Sequence, residues 1–128
     1  MKNIVVVGTG YWGKNLVLHF HQLGALLGIC DISPEILRSF QGKYPDIRGY
    51  STLDTVLSDS AVKAVVVSTP AATHHGIAKA ALWAGKDVFV EKPISLHYAD
   101  GEELVSLAAS KGLVLMVGHI LEYHPAVN

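Results

Sequence analysis

Gly8-Thr9-Gly10-Tyr11-Trp12-Gly13 limits what this chain can fold into more than any other stretch. Before it stands Lys2-Asn3-Ile4-Val5-Val6-Val7, a short apolar β-branched stretch that reads as a buried strand. After it, residues 11–23 carry Trp12, Leu16, Phe20 and Leu23 at helical spacing. Strand, glycine turn and helix in that order form a dinucleotide-binding fingerprint. Each glycine has a physical reason. Gly8 permits the tight turn, Gly10 lets a pyrophosphate approach bare backbone, and Gly13 lets helix and strand pack closely. The helix start then offers unpaired N–H groups and a positive dipole end to the phosphates.

A glycine pattern alone is weak, and its context decides. The next apolar run, residues 25–30, leads into Asp31, which lies 18 residues after Gly13. A dinucleotide fold places the acid that binds the adenosine ribose roughly 20 residues on. A carboxylate there accepts from both ribose hydroxyls and repels a 2′-phosphate. No Arg follows directly, so NAD is expected rather than NADP. Ser33 is the better candidate to cap the following helix, with Pro34 in its first position. Residues 8–14 also spell the beginning of a G-x-x-x-x-G-K phosphate loop. Asn15 stands where that motif needs Ser or Thr for magnesium, so nucleotide hydrolysis is rejected.

A chain of 128 residues makes one domain, which should bury roughly two-thirds of its unfolded surface. Half the residues are hydrophobic and 16% are charged, which excludes a disordered chain. The net charge of −1 argues against a nucleic-acid partner. The apolar runs fall well short of a membrane span, and the opening run is too short for a signal peptide, so no membrane association and a cytoplasmic location are expected. The single Cys30 cannot form an internal disulfide and reads as a small buried residue.

The rest of the chain alternates helix and strand. Residues 33–41 read as a helix with Ile36, Leu37 and Phe40 inward. Residues 48–51 read as a short edge strand, 53–57 as a brief helix, and Ala64–Val67 as a strand stopped by Ser68-Thr69-Pro70. Residues 73–84 read as a helix capped by Thr73, with Ile77, Ala80, Ala81 and Ala84 inward and Gly85 just past its end. A strand over 87–90, a helix over 98–110 and a strand over 113–117 complete the series. Continuous apolar strands between helices predict an α/β fold, a doubly wound parallel sheet covered on both faces with strand order 3-2-1-4-5-6. Residues 1–118 are expected to form this dinucleotide-binding domain. Residues 119–128, where Pro125 reads as the start of a new helix, are expected to begin a connection to a further domain.

Four stretches, GTGYWG, STPAATHH, AGKDVFVEKP and GHILEYHPAV, together resemble the glucose–fructose oxidoreductase and inositol dehydrogenase (Gfo/Idh/MocA) family. The resemblance covers the whole chain but only the N-terminal Rossmann domain of such proteins. Gly-Tyr-Trp-Gly-Lys-Asn near the start and Tyr-His-Pro-Ala near the end are similar to the branch of UDP-sugar 3-dehydrogenases that oxidise UDP-N-acetylglucosaminuronate. The resemblance implies a second α+β domain, absent from this sequence, that supplies much of the substrate pocket, a catalytic His and an oligomer interface. It implies a sugar or UDP-sugar substrate and a homo-oligomer for the full-length protein. Glu91-Lys92-Pro93 would be the family's signature turn, with Lys92 contacting the reacting hydroxyl and the nicotinamide ribose. His74 matches a family histidine near the cofactor. Ala71 stands where the family commonly has Asn, which removes a side-chain bond to the cofactor there.

In an open α/β sheet, ligands sit beyond the carboxyl ends of the strands. The glycine turn, Asp31, Thr69-Pro70, Glu91-Lys92 and Gly118-His119 all fall at such ends. The expected cofactor contacts are Gly8, Thr9, Gly10, Tyr11, Trp12, Gly13, Asp31, Ser68, Thr69, Pro70, His74, Glu91 and Lys92. Lys92 is the expected catalytic group, because a Lys there can hold the hydroxyl and shift its proton affinity. Lys92 and His119 are the candidates at the substrate. His75 reads as a surface residue, and Tyr123 and His124 as packing residues of the connection. The seven histidines form no H-x-x-x-H pair or Cys/His cluster, so no metal is expected. The expected function is hydride transfer between a sugar secondary alcohol and NAD. A freestanding dinucleotide-binding or redox-sensing module is the alternative.

Overall fold

The computed structural model describes residues 2–8, 13–91 and 97–118. Six strands, β1 (Ile4–Val7), β2 (Leu26–Cys30), β3 (Arg48–Tyr50), β4 (Ala64–Val67), β5 (Asp87–Glu91) and β6 (Leu115–Gly118), alternate with helices. The helices are α1 (Gly13–Gln22), α2 (Pro34–Lys43), α3 (Leu53–Ser58), α4 (His74–Trp83) and α5 (Tyr98–Lys111). A single 3₁₀ turn, Ala71–Thr73, precedes α4. Every strand pairing is parallel, in the order β3-β2-β1-β4-β5-β6. This is the doubly wound Rossmann topology, with the strand order that the alternating pattern predicts.

Side chains of successive strand residues serve opposite faces. Val5, Val7, Val65 and Val67 enter one core with Val56, Ala81, Leu82 and Leu104 from α3, α4 and α5. Val6 and Val66 enter the other with Leu16 and Val17 of α1, joined by Tyr44 and Ile47 from the segment after α2. The register slips between Ile4 and Val5, which face Leu26 and Gly28. Leu27 and Gly28 therefore both turn toward the α3–α5 side, as a β-bulge requires. Gly28 is glycine for want of room: a Cβ there would lie 2.4 Å from the Arg48 carbonyl oxygen and 3.0 Å from the Tyr50 ring.

Several details differ from the sequence reading, each for a packing reason. Leu23 lies past the end of α1 and is 75% exposed, while Val17 is fully buried. The helix over residues 33–41 runs on to Lys43. Within it Leu37 and Phe40 pack on the core but Ile36 faces solvent, because α2 contributes no buried residue and meets the sheet only along a narrow stripe. In α4 the buried positions are His74, Ala78, Ala81 and Leu82; of the expected stripe, Ala81 is buried and Ile77 packs against the core, but Ala84 is exposed and Ala80 only partly buried. Small Ala78 and Ala81 let α4 lie close to the sheet, and this rotation turns Ile77 toward the sheet's carboxyl edge. Gly85 does end α4 as expected, with its N–H donating to Leu82 O and that of Lys86 to Ala81 O.

The expected cover on both faces holds over β1, β2 and β4, whose valines and leucines are buried. It does not hold over β6, where Met116 is 57% and Val117 41% exposed. An edge strand contacts one neighbour only, and its apolar composition does not reveal that.

At the amino edge of the sheet, the side chain of Lys86 is buried and donates to Val62 O at 2.7 Å and Asp59 O at 3.0 Å. Burial, with Lys63 nearby, pushes its ammonium below the usual lysine range, against the pull of Asp59. The Asp59 carboxylate accepts from Tyr50 OH at 2.7 Å, Arg48 at 2.9 Å and the Ala61 N–H at 2.9 Å. These bonds hold it below the usual carboxylate range, the Tyr50 hydroxyl contributing most.

Candidate functional site

The strand registers bring the carboxyl ends of the sheet level. Val7 pairs with Cys30 and with Val67, Cys30 with Tyr50, Val67 with Val90, and Glu91 with Gly118. Residues that follow these positions therefore share one edge. Gly8 leaves β1 there with φ +83°, its N–H donating to Cys30 O at 2.9 Å. A Cβ at Gly8 would lie 2.6 Å from Thr69 Cγ2 and 2.9 Å from Ser68 O. Both its left-handed backbone and the loop after β4 thus demand glycine. Gly13 begins α1 and is buried. The first turn of α1 holds no acidic residue, whereas those of α2, α3 and α5 hold Glu35, Asp54 and Asp100. The positive end of the α1 dipole is left without a carboxylate of its own there, which suits an incoming phosphate.

Beside Gly8 opens a crevice of about 440 Å³. Asp31 and Ile32 after β2, Ser51, Thr52 and Leu53 after β3, and Ser68, Thr69, Pro70, Thr73 and Ile77 from the β4–α4 side line it. One Asp31 oxygen accepts the Ser33 N–H at 2.9 Å, which closes the turn after β2 and fixes the carboxylate at the crevice. Ser33 itself caps α2 through Ile36 N–H, with Pro34 next, as the sequence predicts. Cys30 is 5% exposed, and burial, followed by the Asp31 charge, pushes its thiol up to about 11. A thiol so raised is a packing group and not a nucleophile at neutral pH.

Thr73 does not cap α4 with its side chain. Its hydroxyl is turned back to Thr69 Oγ1 and Pro70 O, both at 2.6 Å, because the 3₁₀ turn brings those atoms closer than the helix N–H groups. His74 is 3% exposed, and its Nε2 meets Thr69 O at 2.8 Å. His75, read as a surface residue, is partly buried and tied to α5, with Nε2 2.7 Å from Glu103 Oε1.

Gly8, Gly13, Asp31, Ser68, Thr69 and Pro70 thus come together along one edge. Glu91 ends β5 beside Gly118 on the same edge, farther along the sheet. Thr9, Gly10, Tyr11, Trp12, Lys92, His119, Tyr123 and His124 lie outside the described residues. The sequence reading missed Ile32, Ser51, Thr52, Leu53, Thr73 and Ile77 as crevice residues. A signal for the β3 group was present: Ser51 stands at the carboxyl end of a short strand, so it had to fall on the same edge as Asp31. Among the described residues, no group of three or more His, Cys, Asp or Glu could hold a metal ion. None of their helices is long and apolar enough to cross a membrane.

The chain matches the model of an oxidoreductase family with an NAD-binding Rossmann fold, Gfo/Idh/MocA, over residues 2–119. It is similar to the UDP-N-acetylglucosamine 3-dehydrogenase of Acidithiobacillus ferrooxidans, with 30% identity over 96% of this chain and 38% of that protein. The solved structure of that dehydrogenase superposes with a TM-score of 0.86, covering 98% of this chain and 40% of the other. The WlbA dehydrogenase of Bordetella pertussis, crystallised with NADH and UDP-GlcNAcA, is 31% identical with a TM-score of 0.83, covering 91% of this chain and 35% of that one. A 2,7-anhydro-N-acetylneuraminate hydratase of Escherichia coli is 32% identical over all of this chain and 34% of its own length. The chain spans less than half the length of these relatives. The strand order, the all-parallel sheet and these matches agree: the chain belongs to the Gfo/Idh/MocA oxidoreductase family, as an NAD-binding Rossmann domain.

Proposed function

We propose that this domain serves an NAD-dependent dehydrogenase that oxidises or reduces a ring secondary alcohol of a nucleotide sugar. The observation that carries the reading is the single crevice on which Gly8, Asp31 and Thr69 converge. NAD, when bound, supplies the hydride acceptor. The turn at Gly8 to Gly13, with Thr9, Gly10, Tyr11 and Trp12, and the start of α1 hold the diphosphate. Asp31 accepts from the adenosine ribose hydroxyls and turns away a 2′-phosphate. Ser68, Thr69 and Pro70 wall the β4 side, where His74 stands behind them, and Glu91 flanks the end of β5. Lys92, next in the chain, holds the reacting hydroxyl and lowers the cost of removing its proton, with His119 a second group at the substrate.

The sugar class is supported by the two nucleotide-sugar dehydrogenases among the relatives. Residues 1–118 act as the nucleotide domain and 119–128 lead toward a substrate domain. That domain would cover exposed apolar side chains of the edge strand β6, such as Met116. The proposed setting is the cytoplasm, and the proposed assembly a homo-oligomer.

Calorimetric titration of this chain tests the cofactor, with NAD expected to bind and NADP to bind at least about tenfold more weakly. Tighter NADP binding would overturn the role of Asp31. A panel of UDP-sugars with NAD, assayed on the protein carrying both domains, tests the reaction by accumulation of NADH. Product formed without net NADH would move the protein toward chemistry of the hydratase kind.

A further inference from the structure

His74 is buried but does not line the crevice. Its Nε2 meets the Thr69 carbonyl oxygen at 2.8 Å. A carbonyl oxygen only accepts, so Nε2 carries a proton and donates it. One residue earlier, Thr73 holds the same residue by its side chain. Its Oγ1 lies 2.6 Å from both Thr69 Oγ1 and Pro70 O. The Pro70 carbonyl also only accepts, so Thr73 gives it its one proton and the Thr69 hydroxyl donates to Thr73. Thr69 is therefore held at backbone and side chain by two consecutive residues. On its other side Thr69 abuts the glycine turn so closely that a methyl group on Gly8 would lie 2.6 Å from Thr69 Cγ2.

We infer that His74 is a positioning residue for the cofactor: acting through Thr69 from behind the crevice wall, it sets how closely the β4 side closes on the glycine turn. The inference rests on the NAD-binding reading of the crevice. It differs from a contact role, because what matters is a donor at Nε2 and not an imidazole facing the ligand. Gln can place an amide N–H near the position of Nε2, whereas Leu fills the volume without a donor.

The test is NAD affinity of this chain by calorimetry, with thermal unfolding measured on each variant. His74→Leu is expected to bind NAD about tenfold or more weakly, and His74→Gln within about threefold of the parent, since one lost hydrogen bond is worth about tenfold. Thr73→Val, which removes the side-chain hold, is expected to weaken binding by about threefold to tenfold and serves if His74→Leu fails to fold. Nitrogen NMR of the parent is expected to show Nε2 protonated. Unchanged affinity in a folded His74→Leu, or in Thr73→Val if the former does not fold, would overturn the inference. So would His74→Gln binding as weakly as His74→Leu, or an unprotonated Nε2. If the parent chain failed to bind NAD, the reading beneath the inference would fall with it.

Discussion

At the amino ends of the strands, Lys86 is buried and spends its donors on two carbonyls, and Asp59 gathers Tyr50, Arg48 and a backbone N–H. At the carboxyl ends, Asp31, Thr69 and Ser51 line an open crevice. Both edges must satisfy the same loose ends of a parallel sheet. One does so by bonding inward, the other by fixing a few bonds within each loop and leaving the rest to line an open crevice. Polar residues at the first edge are spent on the fold, and those at the second are the ones the proposed function assigns to the cofactor.

The comparison can be broken by substitutions that should separate affinity from stability. Asp31→Ala should cost the most, about 100-fold in NAD affinity, roughly 3 kcal/mol, because two bonds to a charged acceptor are lost. Stability should fall by only about 1 kcal/mol, from the lost bond to the Ser33 N–H. A large loss of stability with affinity intact would place Asp31 with the structural edge.

Cys30 tests where the boundary runs, since it lines the crevice yet packs like core. Its thiol is raised in the folded state, from 9.0 to about 11. The unfolded chain then ionises first, so the stability that this thiol contributes is complete below pH 9 and is lost as pH rises toward 11. Relative to Cys30→Ala, the parent should lose about 2–3 kcal/mol across that window, read by urea unfolding at several pH values. Parallel profiles would refute it.

Lys86→Met keeps the stem and removes the donors, leaving two carbonyls short. It should cost about 2 kcal/mol of stability, net of the charge no longer buried, while NAD affinity of the folded fraction stays put. Ser33→Ala should have the smallest effect, about 1 kcal/mol from a lost helix cap, with affinity unchanged because the Ser33 N–H still reaches Asp31. A shift in affinity there would mean that the α2 cap also holds the carboxylate in place.

The strand order and the place of Asp31 at the crevice were legible because each rests on a local signal: apolar run, glycine turn, acid, repeated alternation. The rotation of α4 was not, because Ile77, Ala78, Ala80 and Ala81 are all apolar, and composition cannot say which of them faces the sheet. His74 gave no local sign that it serves a carbonyl five residues earlier, since the 3₁₀ turn that brings the two together is set by the loop after β4. The exposure of β6 was hidden for a different reason: a buried strand and an exposed edge strand can have the same apolar composition.

Gly28 has an effect beyond its own contacts. Because no side chain stands between β2 and the Arg48 carbonyl, the third strand settles inward, and Ser51, Thr52 and Leu53 arrive with it. The breadth of the crevice at that end is therefore gauged from within the sheet, by an absent methyl group. Enlarging that position would widen the crevice without altering a single atom that faces it.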